Sequence, residues 1–152
     1  MELLAPHPVV LIGVGFDTAR YGHHVTFLRE DRQPAIKPFR FAESREGYQR
    51  LQAVLEQLRQ KHGRVHFHIR IDAAGQYALN LERFLRALPI EKTITVGEPK
   101  RNRDYRNAHF PKRKADPVDS HACARFAIVE RPHSAPDVPV EIYQLREVCS
   151  AL

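Results

Sequence analysis

Apolar positions along this chain follow two different periods, and the change from one to the other divides it. Residues 9–16 form a near-continuous apolar run, which is how a strand buried on both faces reads. The run therefore predicts the centre of a sheet. Tyr21-Gly22 separates it from His24-Val25-Thr26-Phe27-Leu28, a second strand close enough to be its hairpin partner. Lys37-Pro38-Phe39-Arg40-Phe41-Ala42 alternates polar and apolar, so it predicts a third, half-exposed strand, with Pro38 tolerated only near a strand end or a sheet edge. Consecutive strands of this kind make an antiparallel meander.

Beyond residue 43 the period lengthens. Ser44 can cap a helix whose apolar positions Tyr48, Leu51, Val54, Leu55 and Leu58 recur at three and four residues and which ends near His62-Gly63. A strand follows over Val65 to Ile71, with Val65, Phe67, Ile69 and Ile71 on one face. A helix from about Gly75 carries Tyr77, Leu81, Phe84, Leu85 and Leu88 on one stripe, and Thr93-Ile94-Thr95-Val96 is a short strand. Strand, helix, strand, helix, strand requires right-handed crossovers and parallel pairing. Residues 98–115 are polar, basic and poorly periodic, which predicts a loop with room for one helical turn. A last helix begins at Asp116, carries Val118, Ala122, Phe126 and Val129 on its apolar face, and stops at Arg131-Pro132.

The fold class that follows is α/β, a mixed sheet in which a three-stranded antiparallel meander precedes alternating helices and parallel strands. That is the arrangement of RNase H-like folds. The 152 residues suffice for one core, and we expect the domain to occupy residues 1–131. Residues 132–152 hold Pro132, Pro136 and Pro139 and then Ile142, Leu145 and Val148 at a spacing of three. They read as a linker and the first turns of a helix that leads to a further, absent carboxy-terminal domain.

Charge narrows the partner. Lys plus Arg number 24 against 18 Asp plus Glu, a formal net charge of +6, with a pI near 9.6. Such a balance favours a polyanion, although an ordinary basic protein would share it. Cys123 and Cys149 have neither metal-like nor disulfide-like spacing, as in a reducing cytoplasm. The longest apolar stretch is about half the length needed to span a bilayer and no charged signal start precedes it. The expected location is cytoplasmic, associated with the nucleoid, without membrane contact.

The candidate chemistry is carried by carboxylates. Asp17 and Asp72 end predicted strands, and Asp116 and Asp119 open the last helix. At a separation of three, the latter pair lie about 60° apart around a helix and can address one site. Phosphoryl transfer needs an activated water or hydroxyl and a stabilised leaving oxygen, which divalent ions on carboxylates supply. The basic run Lys100, Arg101, Arg103, Arg106, Lys112, Arg113 and Lys114 is interleaved with Tyr105, His109 and Phe110, a pattern for phosphate contact with base stacking. Each piece has a plainer reading: Asp17 as a turn residue, Asp72 and Asp116-Pro117 as helix starts, the basic run as a solvated loop. Gly13-Val14-Gly15 lacks the third glycine of a dinucleotide loop, so strand packing is favoured, and glycines there also admit another backbone. His66 and His68 share a strand face without a third ligand at zinc spacing, which favours a solvated or edge position. His23-His24 merely begins a strand.

Three segments together resemble one family. Gly15-Phe16-Asp17, then Asp72-Ala73-Ala74-Gly75-Gln76-Tyr77 with Leu81, then Lys112-Arg113-Lys114-Ala115-Asp116-Pro117-Val118-Asp119-Ser120 are similar to the amino-terminal, RuvC-like domain of the DEDD transposases of insertion-sequence 110 type. The family pattern reads G-I-D, E-A-T-G-x-Y and K-T-D-x-x-D-A, so Asp72 stands where the family has Glu, its carboxylate one methylene closer to the backbone. The resemblance implies a transposase or recombinase catalytic domain of a mobile element, performing metal-dependent DNA strand cleavage and transfer. It makes Asp17, Asp72, Asp116 and Asp119 both catalytic and metal-binding, with Mg²⁺ or Mn²⁺ as cofactor. The same resemblance implies DNA and a structured guide RNA as partners, a homo-oligomer in the full-length protein, and a serine nucleophile on a second domain without which this one is inactive. None of Ser44, Ser120, Ser134 and Ser150 has a nucleophile's setting, and Ser120, about 100° around from Asp119, should face away from the acidic cleft. A non-catalytic nucleic-acid-binding module of the same fold is the alternative.

Overall fold

The computed structural model describes residues 8–72, 75–97, 104, 107–109 and 116–132, the last stretch by its backbone alone at 116–118. The elements are β1 (Val10–Asp17), β2 (His23–Arg29), β3 (Pro34–Phe41), α1 (Arg45–His62), β4 (Val65–Asp72), α2 (Gly75–Ala87), β5 (Lys92–Gly97) and α3 (Asp116–Glu130). One five-stranded sheet has the order β3-β2-β1-β4-β5. The first three strands pair antiparallel, whereas β1–β4 and β4–β5 are parallel. The fold is the expected α/β mixed sheet, and the apolar run of β1 lies at its centre.

Pro38 is accommodated because β3 is an edge strand, although that strand begins at Pro34, three residues before the alternation suggested. Its pairing to β2 shifts register near Val25–Leu28, and such irregularity erases a clean period-two signal. Ser44 caps α1, its Oγ accepting from Gly47 N at 3.1 Å, and Gly63 ends the helix with φ 81°.

Strand alternation divides the sheet into two faces. Ile12, Val14, Phe16, Val25, Phe27, Phe67, Ile69 and Ile71 enter the main core, where they meet Leu51, Leu55 and Leu58 of α1 and Leu81 and Leu85 of α2. The opposite face receives α3 alone among the described helices, with Leu11, Leu28, Ala124 and Ile128 packed together. Here β1 presents glycines. A Cβ at Gly15 would lie 2.0 Å from Ser120 O, and one at Gly13 would lie 2.6 Å from Ala124 O. Helix and strand backbones therefore touch. Because Gly15 meets Ser120 while Gly13 meets Ala124 and Ile128, α3 runs antiparallel to β1 and starts over that strand's carboxyl end.

His66 and His68 correct the sequence expectation of a solvated or edge position. They occupy β4, an interior strand, and are half-buried on the α3 face with ring centroids 4.7 Å apart. Period-two alternation marked this face as polar, and a polar face covered by a helix reads the same as one covered by water.

Candidate functional site

Asp17 and Asp72 are the last residues of β1 and β4. The parallel register brings Phe16 beside Ile71, so the two aspartates follow one step later, side by side at neighbouring strand ends. Both have the parity of Gly13, Gly15, His68 and Arg70 and point to the α3 face. Asp119 lies one residue before Ser120, whose carbonyl rests on Gly15. The start of α3 thus stands over the same end of the sheet, where its positive dipole end favours anionic groups.

Cys123 reports how near these groups are. Burial pushes its thiol up, and the negative fields of Asp72, Asp17 and Asp119 push it further, with Arg70 opposing. Asp119, Cys123 and Phe126 form one stripe of α3 at positions i, i+4 and i+7, and the Arg70 guanidinium lies 4.2 Å from the Phe126 ring centroid. That stripe covers β4. The adjacent stripe, Ser120, Ala124 and Ile128, covers β1 and β2: Ser120 shares a 2.8 Å hydrogen bond with Thr26 on β2. Ser120 is thereby turned away from Asp72, as its helical offset suggested, and it is buried.

Asp17, Asp72 and Asp119 are brought to one end of one face. For Asp116 the backbone alone is described, in the first turn of α3. The candidate phosphate contacts Lys100, Arg101, Arg103, Arg106, Lys112, Arg113 and Lys114 lie outside the described residues, as do residues 133–152. Within the basic segment residues 107–109 are helical and exposed, in keeping with the single turn allowed there.

Hard carboxylate oxygens suit Mg²⁺ or Mn²⁺. Among the described residues no three His, Cys, Asp or Glu side chains form a ready enclosure for a metal ion. Mg²⁺ does not require one, since it commonly takes one or two carboxylates and completes its shell with water and substrate phosphate. The Asp17–Asp72 pair fits that mode of binding.

Other residues at this end escaped the sequence reading. Arg70 is 4 % exposed, on the same strand face as Asp72 and two residues away, where it supplies a positive charge to the acidic group. His23 is fully buried. Its Nδ1 accepts from Ala19 N at 3.1 Å, which leaves Nε2 to donate to Glu43 Oε2 at 2.8 Å. Tyr48 O–H donates to the other Glu43 oxygen, and burial with that bond pushes the phenol well above its usual range. This chain of bonds fixes the turn that follows Asp17. The only available signals were a polar residue beginning a strand and an arginine in an alternating one, and both occur commonly on solvent-facing sheets.

The family model for DEDD transposases of insertion-sequence 110 type, described as a transposase, matches residues 14–151. The chain belongs to this family. Its general function is that of a transposase and its substrate is DNA, with the dependence on a divalent metal that is general to DEDD transposases. The five-stranded mixed sheet is the RNase H-like fold of that domain. No curated protein matches the chain. No helix among the described residues is long and apolar enough to cross a membrane.

Proposed function

We propose that this domain carries out metal-dependent cleavage and transfer of a DNA strand, with Asp17, Asp72, Asp116 and Asp119 as its catalytic and metal-binding residues. The reading rests above all on the placement of Asp17 and Asp72 at adjacent strand ends, one step beyond the Phe16–Ile71 pair, under the start of the helix that carries Asp119. Asp17 and Asp72 would hold Mg²⁺ or Mn²⁺, with Asp119 and Asp116 completing the set from α3. When bound, the ion supplies a Lewis acid for phosphate oxygens and an activated attacking oxygen. The sheet holds two of these carboxylates rigidly, the α3 amino terminus tempers their repulsion, and Arg70 offsets part of their charge.

Lys100, Arg101, Arg103, Arg106, Lys112, Arg113 and Lys114 are assigned to backbone phosphates of DNA or of a guide RNA. The covalent serine step is assigned to a separate carboxy-terminal domain. In support, Ser44 is engaged as a helix cap and Ser120 is buried against Thr26. The second reading is a nucleic-acid-binding module of the same fold without chemistry.

A metal titration separates the two. With Mg²⁺ at ten times its dissociation constant the fold should gain about 1.4 kcal/mol, read as a rise in Tm, and changing Asp17 and Asp119 together to Asn should abolish the gain. An unchanged gain in the double variant would place the metal elsewhere. No gain in the unaltered chain would leave the binding module.

A further inference from the structure

We propose that the transverse row running from Asp17 through His24 to Arg40, with Tyr21 at its rim, is the seat of one unpaired nucleic-acid strand beside the carboxylates. The inference rests on Asp17 and Asp72 being the metal-bearing site. Asp17 pairs with His24, and His24 pairs with Arg40. Directly paired residues point to the same face, so all three share the α3 face of the sheet. Two strand spacings separate the ends of the row, about 10 Å, which is within reach of a neighbouring nucleotide. The sign of charge changes along it, from the carboxylates that would bear the metal to a guanidinium suited to a phosphate.

The ground beside this row is hollow. A cavity of about 430 Å³ is lined by His24, Arg40, Arg50 and Ser120 among others, and His24 is the strand partner of Asp17, so the cavity lies beside the strand that ends in the acidic group. A second, of about 350 Å³, is bordered by Tyr21, Gly22 and Arg40. Arg40 stands between them. Its Nη2 donates to Tyr21 O at 3.2 Å, which holds the guanidinium over the turn and uses one of its five donors. Arg50 is held as well, stacked 4.6 Å from the Phe39 ring centroid and donating to Arg40 O at 2.8 Å.

Tyr21 supplies the remaining element. It is 81 % exposed, and the Arg20 guanidinium lies 5.2 Å from its ring centroid. An exposed ring with a guanidinium beside it is a platform on which an unpaired base stacks, and in a duplex that base face is covered. Nearby Glu43 is occupied by His23 and Tyr48, which limits its repulsion of phosphate.

The test uses the full chain in EDTA, so that binding is read independently of the metal site. Short labelled single-stranded DNA, RNA of the same sequence and the DNA duplex are titrated at several salt concentrations. Tyr21→Ala should weaken single-strand binding about five-fold or more without changing the salt slope, Tyr21→Phe should retain it, and the duplex should be indifferent to either. Arg40→Gln should lower the slope of log K against log salt by about 0.7. Both side chains are exposed, and wild-type melting is expected of all variants. Selective binding of DNA would support the row as the seat of the substrate strand, and selective binding of RNA as the seat of a guide strand. Wild-type affinity and slope in Tyr21→Ala and Arg40→Gln, or equal weakening of duplex and single strand, would overturn the proposal. A failed metal titration with these binding effects intact would instead refute the carboxylate reading alone.

Discussion

Gly15 of β1 bears directly on the backbone carbonyl of Ser120, so closely that a Cβ at position 15 would stand 2.0 Å from that oxygen. This contact sets the height of α3 above the sheet and with it the position of Asp119, one residue earlier. Neither partner can yield cheaply, because both atoms belong to backbones. Gly15→Ala should therefore destabilise the domain by about 3 kcal/mol, the upper end for an overpacked core, measured by urea denaturation. If the carboxylates form the metal site, any folded fraction should also bind Mg²⁺ more weakly. A Gly15→Ala domain of wild-type stability would mean that α3 does not pack in this register.

His68 makes the same interface sensitive to pH. Burial, together with His66 and Arg131, lowers its pKa from 6.5 to about 4, and its Nδ1 has no hydrogen-bond partner among the described residues. The unfolded chain then binds a proton that the folded chain refuses, so stability rises with pH between about 4 and 6.5. Discounted by about half for partial solvent screening, the contribution lost on acidification is about 1–2 kcal/mol. His68→Asn should flatten the decline in Tm between pH 6.5 and pH 4.5. An equally steep decline in that variant would assign the acid sensitivity to other groups.

Cys123 provides a chemical reading of how firmly α3 is seated. A buried thiol surrounded by carboxylate charge forms thiolate poorly and is inert. In a Cys149→Ser background, where Cys123 is the sole remaining thiol, alkylation at pH 8 should proceed only through opening of α3 and should accelerate when Gly15 is replaced by Ala. Prompt stoichiometric labelling of the native protein would show that the helix is not closed over the sheet.

Much of this arrangement was legible in the sequence because the determining residues act locally. The apolar run of β1, the Ser44 cap and the Gly63 terminus each announce an element on their own, and the crossovers then force β4 and β5 to be parallel to β1. The positions of Asp17 and Asp72 as strand ends follow from the same pattern. What the sequence concealed are properties of a face. His66, His68 and Arg70 alternate with apolar residues just as a solvated edge would, yet they lie on the sheet face where α3 docks, and Arg70 packs on Phe126 of that helix. The His23–Glu43–Tyr48 bonds join a strand, a loop and a helix, so no local spacing encodes them. Gly13 and Gly15 were readable as places where a backbone could approach, but the approaching segment lies more than a hundred residues later.

Arg70 offers the most direct means of perturbing the acidic group without touching a carboxylate. A buried arginine is tolerated when other groups compensate its charge, and here the fields of Asp72, Asp17 and Arg70 all converge on the Cys123 thiol, while Phe126 receives the guanidinium face. Arg70→Met preserves most of the side-chain length and removes the charge. The variant loses a cation–π contact of up to about 2 kcal/mol and leaves the carboxylates less compensated, so its Tm in EDTA should fall. A divalent cation restores positive charge at the same place. The Mg²⁺-induced rise in Tm should consequently be larger in Arg70→Met than in the unaltered chain, and combining Arg70→Met with Asp17→Asn should remove the excess, because fewer anions then await compensation. An Arg70→Met protein whose Mg²⁺ response equals that of the wild type would show that Arg70 acts only through its packing on Phe126.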